Sequence, residues 1–190
     1  YGIKYGYRGL VAEHDLTPVL LNNDEVDTIH NLGGTILGAS RGQQDTKKIV
    51  ETLMRMNINL LFCIGGDGSL RAARDITAEC KARGLSISVV GIPKTIDNDL
   101  NFVGRSFGFE TAVAATSPVI ESAHMEAKGC INGVGLIKLM GRDSGWLTTA
   151  SAIGRVVNGV APDYVYLPER TFDPEEFIAS VNEIQKDHPA

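Results

Sequence analysis

The chain has 190 residues, enough for one domain with a substantial apolar core and too few for two large domains. Apolar residues make up 43% of the sequence and charged residues 22%, as in ordinary globular proteins. The net charge of −5 excludes a global basic field that would attract nucleic acid. No apolar run is long enough to span a bilayer, which argues against a membrane protein.

Strands and helices are predicted to alternate along most of the chain. In order, the pattern predicts a helix over 46–56, a strand over 58–64, a helix over 69–83, a strand over 87–92, a helix over 107–128 kinked or broken at Pro118, a strand over 134–140, a helix over 144–153, a strand over 164–167 and a helix over 173–186. Short connections between such elements predict an α/β fold, a Rossmann-like parallel sheet with helices on both faces. We expect residues 1–190 to form a single domain.

The cysteines and histidines do not indicate a metal site or a disulfide framework. Cys63, Cys80 and Cys130 are odd in number and far apart, so we expect reduced, structural thiols in a reducing cytoplasm. Metal-ligand spacing is absent among the histidines, which we expect to be surface or core residues: His14, His30, His124 and His188.

A glycine cluster follows the first predicted strand, where ligands bind in parallel α/β sheets. Gly66 and Gly68 would let backbone amides approach a phosphate, and the helix starting near Ser69 directs its positive end to the same place. Asp67 adds a hard oxygen ligand suited to Mg²⁺. The structural alternative is a tight turn in which Asp67 caps the helix.

Two carboxylates, Asp97 and Asp99, follow the second predicted strand beside Lys94 and Thr95. Neighbouring carboxylates resist joint ionisation unless a cation is present, and a Mg²⁺·nucleotide would supply one. One carboxylate would act as a base towards a sugar hydroxyl while the other orients metal or water.

Two arginines lie in other glycine-containing loops. Arg142 follows the third predicted strand and would neutralise phosphoryl charge; the structural alternative is a surface arginine paired with Asp143. Arg41 lies in the segment GASRG and is a second candidate phosphate contact, with a solvated loop arginine as the alternative.

Six strings spanning roughly residues 1–155 together resemble the 6-phosphofructokinase family: YGIKYGYRGL, GGTILGASRG, IGGDGS, PKTIDNDL, FGFETA and KLMGRDSG. The resemblance is to the ATP-dependent, plant-like and kinetoplastid-like branch. It implies transfer of the terminal phosphoryl group of ATP·Mg²⁺ to the 1-hydroxyl of fructose 6-phosphate, giving fructose 1,6-bisphosphate in glycolysis. It also implies a cytoplasmic, allosteric homodimer or homotetramer with no nucleic acid or membrane partner.

The resemblance implies a role for each matching position. Asp97 would take the proton from the sugar's 1-hydroxyl, and Asp99 would support that base and the metal. Thr95 would contact the sugar phosphate or the transferred group, and Arg142 would lie near the phosphoryl group during transfer. The other contacts implied on the sugar side are Lys94, Met140 and Gly141. On the nucleotide side, Asp67 would bind Mg²⁺, and the implied phosphate contacts are Arg41, Gly66, Gly68 and Ser69.

Residues at two positions indicate which phosphoryl donor such an enzyme would use. The pyrophosphate-using branch typically carries a second Asp where this chain has Gly68, and that carboxylate would repel the α-phosphate of a nucleotide. It also tends to have Gly where this chain has Asn98. Lys94 is typical of the pyrophosphate branch and of the plant-like and kinetoplastid-like ATP enzymes, so the sequence favours ATP over pyrophosphate.

Parts of a complete family member are missing from the sequence. The glycine loop that precedes YGIKYGYRGL in the family is absent, and the chain ends at Ala190, before further sugar-phosphate ligands are expected. Gly133 aligns where bacterial-type members carry an arginine that reaches a neighbouring subunit. We therefore expect the nucleotide-binding domain of a longer two-domain enzyme. Two rival interpretations are a NAD or lipid kinase, which shares the string GGDG, and an inactive nucleotide-binding module.

Overall fold

The computed structural model describes residues 1–157 and 161–187 and divides into two compact units, Tyr1–Ile92 and Pro93–Ala190. His188, whose surface or core position was predicted, lies outside the described residues. Within the described ranges, no helix has both the length and the apolar character needed to cross a bilayer.

A strand–helix–strand unit forms the centre of the first unit. The α-helices and strands are helix α1 (Asn23–Val26), helix α2 (Thr46–Arg55), strand β1 (Leu60–Gly65), helix α3 (Asp67–Ala82) and strand β2 (Ser88–Pro93). Three short 3-10 helices accompany them: Gly6–Leu10, Ala12–His14 and Ile29–Asn31. The two strands are neighbours in one sheet and α3 connects them, so they run parallel. The predicted α/β fold with a parallel sheet is confirmed.

The apolar core lies between β1 and the helices α2 and α3. Alternate residues of β1 are buried, so that Leu61 and Cys63 face the helices while Phe62 is exposed on the opposite face. From the helices, the core takes Ile49, Val50, Leu53, Ala73, Ile76 and Cys80. This packing holds β1 in place, and the glycine cluster follows at its carboxyl end.

Helices dominate the second unit. It contains α4 (Phe109–Lys128), α5 (Trp146–Val157), which packs on α4, and α6 (Pro174–Asp187). Helix α4 continues through Pro118, so the helix is not broken there, and the other expected outcome, a kink, stays a prediction. Helix α6 begins as predicted, because a side-chain oxygen of Asp173 accepts hydrogen bonds from the backbone N–H groups of Glu175 and Glu176.

The predicted strands over 134–140 and 164–167 are wrong. Both segments are described and neither pairs with a neighbouring strand. An apolar run becomes a strand only when an adjacent strand takes up its backbone hydrogen bonds. Here the chain around Gly133 and Gly135 lies against the last turns of α4 instead, and Tyr166 packs its ring edge-on against Phe172 and Phe177.

The three thiols differ in accessibility, which leads to a prediction for chemical labelling. Cys63 and Cys80 are buried, whereas Cys130 is exposed, and all three are free. Burial raises the pKa of Cys63 and of Cys80, so the reactive thiolate is depleted at neutral pH. We expect iodoacetamide at pH 7.5 to modify Cys130 in the folded chain and all three cysteines in urea, as read by peptide mass spectrometry. Rapid native modification of Cys63 would contradict this.

Candidate active site

The fold requires glycine at one position of the glycine cluster after β1. A Cβ on Gly65 would lie 2.3 Å from the hydroxyl oxygen of Ser69 and 2.6 Å from its Cβ, so a larger residue would force the first turn of α3 to shift. Gly66 is the N-cap of α3 and, as glycine, has no side chain that could cap the helix. The first turn of α3 therefore presents its free N–H groups at the carboxyl end of β1, as an anion site requires.

Gly68 is different, because the fold does not require glycine at this position. Its backbone is helical, and a Cβ there would meet no heavy atom within 4 Å. The space in front of Gly68 is open. A strand-to-helix turn accounts for Gly65 but not for Gly68, which supports close approach of a ligand to the first turn of α3.

Asp67 is placed to hold a cation. The N-cap of α3 is Gly66 and not Asp67, so the alternative in which Asp67 caps the helix is wrong. Its carboxylate pairs with Arg71, with 2.7 Å between Oδ2 and Nη2, and both side chains are more than half exposed. Such a surface pair contributes little stability, so another cation displaces it at low cost. Mg²⁺ is commonly held by one or two carboxylates together with phosphate oxygens, which fits this position.

Tyr7 connects the N-terminal segment to the glycine cluster, a contact that sequence reasoning missed. Its hydroxyl donates a hydrogen bond of 2.7 Å to the carbonyl oxygen of Ser69. Burial, and then the neighbouring Cys63, raise the pKa of Tyr7 above its ordinary value, so the hydroxyl keeps its proton. The string YGIKYGYRGL contains the residue, but nothing in its pattern shows which tyrosine points inward.

Arg41 lies in an exposed loop beside the same segment. Gly38 and Gly42 on either side have φ values of +71° and +96°, which favour glycine. The Ser40 hydroxyl donates a hydrogen bond of 2.6 Å to the Tyr5 carbonyl oxygen and ties the loop to the N-terminal segment. Among the described residues, Arg41 makes no ion pair, and its contact with phosphate stays a prediction.

The loop after β2 carries the two predicted carboxylates. Thr95 and Asp97 are half-buried, whereas Lys94 and Asp99 are exposed. The Asp97 N–H donates a hydrogen bond of 3.1 Å to the Thr95 hydroxyl oxygen. The Ser144 hydroxyl donates one of 2.9 Å to the Asp97 carbonyl oxygen. The structure therefore brings the loops that contain PKTIDND and MGRDSG together.

Arg142 lies near the carboxylates of this loop. Its Nε donates to Asp143 Oδ2 at 2.7 Å, so the predicted pairing of these two residues exists. The hydrogen bond to Asp143 is the main cause of the raised pKa of Arg142. The negative charges of Asp97 and Asp99 raise this pKa further. Because the guanidinium is 91% exposed, it is free to change partner when a phosphoryl group binds.

The backbone before Arg142 also depends on a glycine. Gly141 has a φ of +120°, and a Cβ there would lie 2.4 Å from the Ser144 carbonyl oxygen. Met140 is exposed. The sugar contacts implied for Met140 and Gly141 stay predictions, although glycine at 141 already has a structural explanation.

Asn98 has a structural role that its sequence position alone did not reveal. Its φ is +51°, a conformation for which Asn and Gly are the most tolerant residues. Its side chain accepts from the Ser106 N–H at 2.8 Å and donates to the Gly104 carbonyl at 3.2 Å. The predicted preference for ATP therefore depends mainly on Gly68.

A cavity of about 490 Å³ opens beside the second loop. Its size suits a small ligand. Three carboxylates are among its lining residues and no lysine or arginine is: Asp99, Asp143 and Glu169. Because these carboxylates would repel phosphate, we do not place a substrate phosphate there.

The predicted site residues fall into two sets. Arg41, Gly66, Asp67, Gly68 and Ser69 lie in the first unit, and Lys94, Thr95, Asp97, Asp99, Met140, Gly141 and Arg142 lie in the second. Within the second set, the structure brings Asp97 close to the Arg142 loop. That the two sets meet around one nucleotide stays a prediction.

Curated relatives match most of the chain. An ATP-dependent 6-phosphofructokinase of Borreliella burgdorferi is 49% identical over 92% of this chain and 38% of its own length. The enzyme of that name from Trypanosoma brucei brucei is 50% identical over 80% of the chain and 31% of its own length. ATP-dependent 6-phosphofructokinase 7 of Arabidopsis thaliana is 49% identical over 77% of the chain and 30% of its own length. The resemblance to kinetoplastid and plant enzymes is confirmed.

A solved structure confirms the fold. The pyrophosphate-dependent phosphofructokinase from Marinobacter aquaeolei matches 97% of this chain and 48% of its own, with a TM-score of 0.80 and 24% identity. The chain spans 30–38% of the length of the curated relatives named above. The family model for phosphofructokinase matches residues 1–189. On this evidence, the chain belongs to the phosphofructokinase family.

Proposed function

We propose that the chain is the nucleotide-binding part of a longer ATP-dependent 6-phosphofructokinase, which transfers the terminal phosphoryl group of ATP to fructose 6-phosphate. The observation that carries the proposal is the loop of Asp97 held beside the Arg142 loop. A base and a mobile cation are the two groups that phosphoryl transfer to a hydroxyl needs close together.

In the proposed reaction, the Asp97 carboxylate accepts the proton of the sugar's 1-hydroxyl as that oxygen attacks the terminal phosphorus in line. The bond from that phosphorus to the bridging oxygen of the β-phosphate breaks, and ADP leaves with the bridging oxygen. Arg142 exchanges its contact with Asp143 for the oxygens of the transferring group. Lys94 and Arg41 add positive charge. Positioning and charge stabilisation provide most of the rate, because the transition state is loose.

Asp67 would hold the Mg²⁺ together with phosphate oxygens, and Asp99 would support the metal and the base. Bound Mg²⁺ supplies charge neutralisation on the phosphates. The first turn of α3 offers its backbone N–H groups to the same phosphates, with Gly68 leaving room for them. The three free thiols support a reducing, cytoplasmic location.

The test is a coupled assay of the full-length protein with fructose 6-phosphate and either ATP·Mg²⁺ or pyrophosphate. We expect fructose 1,6-bisphosphate with ATP, because Gly68 leaves space for the α-phosphate, and little or none with pyrophosphate. Equal or faster turnover with pyrophosphate would contradict the donor assignment. Phosphorylation of NAD or diacylglycerol, with none of fructose 6-phosphate, would contradict the proposed function.

A further inference from the structure

Two buried serines hold the main chain of the loop that carries Asp97. The Ser106 hydroxyl donates a hydrogen bond of 2.5 Å to the Thr95 carbonyl oxygen, and the Ser144 hydroxyl donates one of 2.9 Å to the Asp97 carbonyl oxygen. Each serine is only 5% exposed. Most buried hydroxyls and carbonyls in folded proteins are hydrogen-bonded, and these two bonds satisfy both serine hydroxyls within the packed structure.

The two serines come from different parts of the chain and bind different carbonyl groups of the loop. Ser106 also binds the Asn98 side chain through its backbone N–H, at 2.8 Å, so it fixes the residue after Asp97. Ser144 lies 47 residues beyond Asp97 in the sequence and only two residues after Arg142. Its hydrogen bond is therefore the direct connection between the base loop and the arginine loop.

We propose that Ser144 is a positioning residue, whose hydroxyl holds the main chain of Asp97 at a fixed place relative to Arg142. This inference rests on the function proposed above. A base must lie within hydrogen-bond reach of the proton it takes, and small displacements cost much of the rate. Ser144 has no direct contact with substrate in this proposal and acts through Asp97.

The test uses Ser144→Ala in the full-length enzyme. We expect kcat to fall ~10-fold, which is less than the ~10²-fold loss that a 1 Å misplacement of a catalytic group can cause. We expect the KM for ATP to change by less than about 2-fold. We expect kcat and the KM for ATP to respond differently because the Ser144 hydroxyl binds the loop of the proposed base, whereas the nucleotide contacts are assigned to the glycine cluster. Unchanged kcat in this variant would overturn the proposal.

Ser151→Ala is the matched control. Ser151 lies on α5, the helix that follows Ser144, and is 3% exposed, so it is an equally buried serine. Its hydroxyl has no hydrogen-bond partner among the described residues. We expect Ser151→Ala to keep the kcat of the unmodified enzyme. An equal loss of kcat in both variants would show that any buried serine in this region matters and would overturn the specific role.

A double-mutant cycle separates positioning from general damage to the fold. If Ser144 acts through the Asp97 carboxylate, Ser144→Ala should change kcat by less than about 2-fold in an Asp97→Asn background, because coupled residues are not additive. The same ~10-fold loss in both backgrounds would overturn the proposal. Should Ser144→Ala not fold, Ser144→Cys replaces the hydroxyl with a weaker donor of similar size, and an unchanged kcat in that variant would again overturn the proposal.

The cycle also distinguishes this inference from the proposed function. Absence of fructose 6-phosphate turnover in the unmodified full-length enzyme would remove the function proposed above, whereas normal turnover of the Asp97→Asn single variant would remove only the assignment of Asp97 as the base. Loss of turnover in Asp97→Asn together with full activity in Ser144→Ala would leave the function standing and remove only the role of Ser144.

Discussion

Replacing Asp97 with Asn in the full-length enzyme should lower kcat by at least ~10²-fold, because a positioned base contributes ~10²–10⁴-fold to such reactions. Asn has the size of Asp but does not accept the proton of the sugar hydroxyl. The hydrogen bonds that Asp97 makes to Thr95 and Ser144 use its backbone N–H and carbonyl, so the substitution leaves both in place. The loop should therefore keep its conformation while losing the base.

The measurement is steady-state kinetics with fructose 6-phosphate, accompanied by calorimetric titration of ATP·Mg²⁺. We expect the dissociation constant for ATP to change by less than about 3-fold, because the nucleotide contacts are assigned to the α3 end of the site. A variant with full turnover would show that Asp97 is not the base. A variant that no longer binds ATP would show that Asp97 holds the nucleotide instead.

Replacing Gly68 with Asp should weaken ATP binding by at least ~10²-fold, because a like charge placed against a bound anion costs several kcal/mol. The family resemblance puts the α-phosphate of ATP next to this position. A Cβ on Gly68 meets no heavy atom outside its own helical backbone within 4 Å, so we expect the new side chain to extend into open space without disturbing the fold. An acidic residue in the first turn of α3 also interacts favourably with the helix dipole.

The matched control is Gly68→Ala, which adds a Cβ without the charge. We expect Gly68→Ala to retain much more ATP affinity than Gly68→Asp, and both variants to unfold in urea at or above the midpoint of the unmodified protein. Equal loss of affinity in both variants would assign the effect to volume and not to charge. Unchanged ATP binding in Gly68→Asp would contradict the placement of the α-phosphate at this turn.

Much of the site could be predicted from the sequence because its chemistry lies in short, contiguous strings. Asp67 and Gly68 follow an apolar run that ends at glycines, and Asp97 follows the next such run. The positions of helix and strand ends are local properties, so the loops after β1 and β2 are where the pattern indicates. Six strings in family order were enough to identify the family, which the comparisons confirm.

Two strands were predicted wrongly for a reason that lies outside any local window. The segments 134–140 and 164–167 have the composition of strands, but a strand exists only where a neighbour accepts its backbone hydrogen bonds. Similarly, Pro118 has the pattern of a helix break, yet the helix continues through it. Tertiary context overrides local preference in each case.

By itself, the sequence determined the order of strands and helices around β1, α3 and β2, the chemical type of each loop, and the family. Only the tertiary structure showed that Tyr7 reaches Ser69 and that Ser144 reaches Asp97. The physical reason is the separation along the sequence over which each kind of interaction acts. Apolar periodicity and turn chemistry act between neighbours in the chain, whereas a hydrogen bond across 47 or 62 residues depends on how the elements pack.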